Sequence, residues 1–145
     1  MKIYVDADAC PVKEIIIFEA KIRDVEVTMI VDTSHEINDG YSEVIVVDKS
    51  ADSADIKIAN LINKGDIVVT QDFGVATMAL GKGARAINQT GMIYTNDNID
   101  TLLLSRHINR KLRNGGRKIK GPKKRTKCDD VLLVENLEKI IANNN

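Results

Sequence analysis

Lys2-Ile3-Tyr4-Val5-Asp6-Ala7-Asp8-Ala9-Cys10-Pro11 opens the chain and decides how the rest of it is read. Its apolar run is short and stops at two acids one residue apart, with a proline soon after. A run of that length bounded by turn residues reads as a buried strand. Pro11 then suits the first turn of a helix, where its missing N–H is no loss. Strand, acidic turn and helix make the first half of a βαβ unit.

The same pattern recurs downstream. Helical spacing of Val12, Ile15, Ile16 and Ala20 predicts a helix from Pro11 to about Arg23, and the unbroken run Ile15 to Phe18 implies burial on more than one side. Val25 to Val31 is rich in β-branched residues and reads as a strand ending at Asp32. A polar loop, Thr33 to Ser42, leads to a third strand, Glu43 to Val47. Ser50 or Asp52 is placed to cap a helix over Asp52 to Asn63. A strand over Asp66 to Thr70, a helix from Asp72 or Phe73 to Leu80, and a short strand over Ala84 to Ile87 follow. Helices are predicted over Asn96 to Leu112 and at about 129–142. Strands alternating with helices predict one α/β domain over residues 1–145, a mainly parallel central sheet covered by helices on both faces.

Composition narrows the function. The chain is 43% hydrophobic but only 3% aromatic, which suits one aliphatic core. No stretch reaches the roughly 18 apolar residues of a membrane span, and the acidic start is unlike a signal peptide, so a cytoplasmic protein with no membrane partner is expected. Cys10 and Cys128 lie far apart with no zinc-ligand spacing. The net charge of zero hides a polarised chain. Residues 1–105 hold 9 Lys/Arg against 17 Asp/Glu, whereas residues 106–127 hold 11 against none. That basic block has the composition of a polyanion-binding segment, or of a solvated loop.

Carboxyl ends of parallel strands share one edge, so Asp6, Asp8 and Asp72 are expected to reach one crevice, joined by Asp55 from the start of a helix. Carboxylates that close repel unless a hard cation, Mg²⁺ or Mn²⁺, lies between them. For one of Asp6 and Asp8, and for Asp52 and Asp72, a helix-terminus role stays open beside the ligand role. Thr70, Gln71, Asn88 and Gln89 are candidate polar contacts for a substrate, and Arg106, His107, Arg110, Lys123, Lys124 and Arg125 are candidate phosphate contacts. The basic block has no aromatic residue, so phosphate contact rather than base stacking is its expected mode.

Five ordered blocks carry a family resemblance: Val5 to Pro11, Ser50 to Asp55, Val69 to Gly74, Ala86 to Gly91 and Gly121 to Thr126. Together they resemble the YaiI/YqxD family of uncharacterised bacterial proteins, which is regarded as PIN-like. The resemblance implies the sheet order 3-2-1-4-5 and a metal-dependent ribonuclease in which Asp6, Asp55 and Asp72, with Thr70, carry the catalytic pattern; for its fourth acid Asp8, Asp52, Asp97 and Asp100 compete, and Asp8 is read as a further metal ligand. RNA is then the expected partner, and a homo-oligomer is left open. Two rival readings stand beside it: a nucleic-acid-binding protein without catalysis, and a phosphohydrolase of the haloacid-dehalogenase type using Asp6-x-Asp8.

Overall fold

The computed structural model describes residues 1–8, 10–32, 37–48, 53–116 and 124–143. Strand β1 (Lys2–Asp6) pairs in parallel with β2 (Glu26–Asp32) on one side and β4 (Ile67–Val69) on the other. Strand β3 (Glu43–Val47) extends the sheet beyond β2, and β5 (Arg85–Ile87) extends it beyond β4. A two-residue strand, β6 (Ile93–Tyr94), closes that edge antiparallel to β5, giving the order β3-β2-β1-β4-β5-β6. The expected order is present, with β6 added to it.

Alternation along the strands sorts the core into two layers. Ile3, Val5, Val27, Met29, Val31, Ile67, Val69 and Ile87 face α1 (Lys13–Ile22) and α5 (Lys127–Asn143), meeting Ile16 and Ala20 from the first and Leu133, Leu137 and Ile140 from the second. Tyr4, Ile30, Val68, Ala86 and Tyr94 face the other way. They meet Ile58 and Ile62 from the α2 (Ser53–Leu61) side, Val75, Ala76 and Ala79 of α3 (Phe73–Gly81), and Ile99 of α4 (Asn96–Asn114). Burying both sides is why the strands are near-continuous aliphatic runs rather than alternating polar ones.

Three local expectations are corrected. Pro11 lies in the turn before α1, whose N-cap is Val12, so the helix starts two residues after the proline. The run Ile15 to Phe18 is not buried all round: Ile16 and Ile17 are in the core but Phe18 is 63% exposed. Asp66 is not a strand residue. Its buried carboxylate accepts the backbone N–H of Lys2 (3.0 Å) and of Asn63 (2.8 Å), pinning the start of β1 to the exit of α2. The proposed caps Ser50 and Asp52 lie outside the described residues.

Gly91 shows how the C-terminal helix seats. Its φ is +90°, and an added Cβ would lie 2.5 Å from the backbone nitrogen of Leu133, so only glycine lets the turn after β5 touch the α5 backbone.

Candidate functional site

Connections from β1 and β4 leave the sheet on opposite sides, α1 onto one face and α3 onto the other. Adjacent strands whose helices part in this way open a crevice at their carboxyl ends, the usual ligand position of such sheets. Here a crevice of about 450 Å³ is lined by Asp6, Asp8, Gln71, Asp72, Phe73 and Arg106.

Thr70 organises it. Val5 and Val69 are register partners, so Thr70 emerges beside Asp6. Its fully buried hydroxyl donates to Asp6 Oδ2 (3.1 Å) and accepts the backbone N–H of Asp72 (3.0 Å). The Tyr94 hydroxyl donates to the Thr70 carbonyl (3.2 Å) from below. Thr70 is thus a positioning residue that sets both acids, rather than a group facing a substrate.

Asp72 fills the capping role left open for it and also lines the crevice. Its Oδ1 accepts the N–H groups of Gly74 (2.7 Å) and Val75 (3.3 Å) and so caps α3, while Oδ2 accepts no hydrogen bond among the described residues. Asp6 Oδ1 is in the same position. Asp8 accepts the backbone N–H of Asp32 through both oxygens (3.0 and 3.3 Å), which ties the β1 exit to the β2 end. Burial pushes the Asp6 carboxyl above its ordinary range; the Thr70 hydrogen bond opposes this, and the charges of Asp72 and Asp8 reinforce it. Burial, with the Asp72 charge, pushes Tyr94 up to about 12, so its hydroxyl stays protonated and donating.

Asp55 lies half-buried in the first turn of α2, on the same edge of the sheet, but is not among the residues lining the crevice. Among the described residues no three His, Cys, Asp or Glu side chains are close enough to hold one metal ion.

The polar and basic candidates divide. Gln71 lines the crevice, and its Nε2 donates to Gln89 Oε1 (2.6 Å), with Gln89 only 4% exposed. The Asn88 side-chain oxygen accepts from Thr90 N, Thr90 Oγ1 and Met92 N, which builds the β5–β6 turn and turns that oxygen away from any ligand. Arg125 donates to the Gln89 carbonyl and to Asp130, an internal tie rather than a free cation. Arg106 lines the crevice, whereas His107 and Arg110 are exposed further along α4 and Lys124 is exposed before α5. Lys123 lies outside the described residues.

Sequence reading missed Phe73 and Tyr94. Phe73 directly follows an acid singled out for chemistry and was visible only as a helix start. Tyr94 was passed over because a two-residue strand gives no periodicity. No helix among the described residues is long and apolar enough to cross a membrane.

Comparison with known proteins adds a family. A model described as an uncharacterised YaiI/YqxD family matches residues 4–143. A UPF0178 protein of Ruminiclostridium cellulolyticum is 58% identical over 130 residues, 90% of this chain and 85% of that protein. One from Clostridium acetobutylicum is 52% identical over 132 residues, 90% of this chain and 89% of the relative. The crystal structure of a mutant of Rae1 (YacP) from Bacillus subtilis is similar over 99% of both chains, with a TM-score of 0.47 and 20% identity. At that distance the likeness bears on neither activity nor substrate.

Proposed function

The chain belongs to the YaiI/YqxD family of uncharacterised bacterial proteins, and from that footing we propose that it is a divalent-metal-dependent nuclease hydrolysing phosphodiester bonds of RNA. One observation carries the reading: Asp6, Asp8 and Asp72 share a crevice at the point where the strand order reverses, with Arg106 on its wall.

The donor set suits Mg²⁺ or Mn²⁺. Asp6 and Asp72 each keep an oxygen that accepts no hydrogen bond among the described residues, and the raised pKa of Asp6 marks a carboxylate that gains from a neighbouring cation. Mg²⁺ is commonly held by one or two carboxylates with several waters, so the two oxygens of Asp6 and Asp72 suffice as its protein ligands. When bound, such an ion supplies a water of lowered pKa and offsets charge on the leaving oxygen.

The residues of the chain do the rest. Thr70 fixes the Asp6 carboxylate, and the α3 N-terminus fixes that of Asp72, so their remaining oxygens are preorganised. Asp8 adds negative charge to the wall, while Asp55 stands outside the crevice lining at the α2 start. Arg106 offsets the repulsion between acids and a polyanion, Arg110 and Lys124 extend positive charge outward to phosphates, and His107 offers a ring nitrogen beside them.

The test is cleavage of a labelled single-stranded RNA by the purified protein with Mn²⁺. EDTA and Asp6→Asn should each abolish it. If the wild type binds the RNA, cleaves none of it with either metal, and loses no affinity in Asp6→Asn, the protein is a binding module and the nuclease reading fails.

A further inference from the structure

We propose that Phe73 and Gln71 form a seat for one unpaired nucleobase beside the acids, so that the strand is single-stranded where it meets the crevice. This deepens the nuclease reading and rests on it for the identity of the ligand.

Phe73, the first residue of α3, packs only at the margin of the core that Val75, Ala76 and Ala79 fill, so part of its ring stays uncovered. Its ring is half-buried and lines the crevice together with Asp6 and Asp72. From behind, the ring packs edge-to-face on buried Tyr94, with centroids 6.1 Å apart and planes at 70°. Tyr94 is in turn fixed to Thr70, the residue that sets Asp6. The aromatic wall and the acids therefore share one rigid support.

Gln71 is exposed but held. One half of its terminal amide is engaged by buried Gln89, whose main-chain carbonyl is held by Arg125, itself paired with Asp130 at the start of α5. The other half remains for a ligand, and an amide restrained in advance loses less rotamer freedom on binding. An amide can both donate and accept, which matches the edge of a base.

The volume, about 450 Å³, lies within the roughly 300–1,000 Å³ typical of small-ligand sites. A crevice lined by three carboxylates disfavours phosphate without a cation, whereas the neutral face of a base meets no such penalty at Phe73. Bases inside a duplex are stacked on both faces, so only an unpaired or extruded base reaches this ring.

Fluorescence anisotropy in EDTA, which prevents cleavage, tests the seat. The probes are a short fluorescein-labelled single-stranded RNA, the same strand with abasic positions, and the corresponding blunt duplex. The wild type should bind the intact strand about 5- to 150-fold more tightly than the abasic one, the range of one base–aromatic stack. Phe73→Leu, which keeps apolar volume but removes the ring, should lose that factor; Phe73→Trp should keep it, and Gln71→Ala should lose part of it. Equal binding of intact, abasic and duplex probes, or an unchanged Phe73→Leu, overturns the seat. A ring-dependent preference in a protein that cleaves nothing with Mn²⁺ keeps the seat and sinks the nuclease. Cleavage lost in Asp6→Asn, without any ring-dependent preference, does the reverse.

Discussion

Replacing Asp6 by Asn separates a shared cation from a chance gathering of acids, and it does so without any assay of cleavage. In the metal-free protein the raised Asp6 pKa means that the folded state prefers the protonated acid. The sign follows from linkage: the stability of this group is fully present below the unfolded pKa, about 3.9, and is lost as pH rises through the raised folded value. Asn removes that loss, so the metal-free variant should melt above the wild type at pH 7, and the advantage should vanish below about pH 4. Metal reverses the order. An ion at 100 times its Kd stabilises the native state by about 2.7 kcal/mol. For 145 residues, with about 2.1 cal/mol/K of unfolding entropy each, that corresponds to roughly 9 °C in Tm. The wild type should therefore gain about 9 °C from saturating Mn²⁺ by this reckoning, and Asp6→Asn almost nothing. Asp55→Asn should keep most of the gain, since Asp55 does not line the crevice. Differential scanning calorimetry with and without Mn²⁺ gives each number. Equal Mn²⁺ shifts in the wild type and Asp6→Asn would refute the shared-ion reasoning.

Other perturbations test the support and the basic arm. Gly91→Ala combines strain at φ +90° with a backbone clash on α5, and should destabilise by roughly 2–5 kcal/mol, or about 7–16 °C in Tm; an unchanged melting curve would mean that α5 does not sit against this turn. Asp66→Ala leaves the Lys2 and Asn63 amides without their acceptor and should cost about 2–4 kcal/mol in urea unfolding, with Asp66→Asn costing less because one acceptor oxygen survives. Arg110 and Arg113 are both exposed on α4, so changing both to Ala should leave the fold intact. It should flatten the dependence of log K on log[salt] for single-stranded RNA by about 1.4, at about 0.7 per phosphate contact. An unaltered slope would remove the Arg110 and Arg113 end of α4 from the binding surface.

What sequence made legible, and what it hid, has a physical basis. Strands β1 to β5 were readable because a sheet covered on both faces demands β-branched runs, and acids at the ends of two such runs must share an edge once the strands are parallel. The PIN-like order supplied the adjacency of β1 and β4 that periodicity alone could not give. Strand β6 was invisible because two residues have no period, and with it went Tyr94 and the reason Phe73 faces the crevice.

Partner choice was the second hidden quantity. A count of charge along residues 106–127 treats every cation as equally available, yet Arg125 is held inside the molecule by Gln89 and Asp130, while Arg106 lines the crevice. The same holds among amides, where Asn88 closes a turn and its neighbour Gln89 orients Gln71. Composition therefore locates charge only to the scale of a segment. Which side chains of that segment meet a ligand depends on which of them the fold has already engaged, and that is decided by contacts between residues far apart in sequence. Asp72 shows the limit most clearly, because one of its oxygens caps α3 while the other accepts no hydrogen bond among the described residues, a division that exists only at the level of the atom.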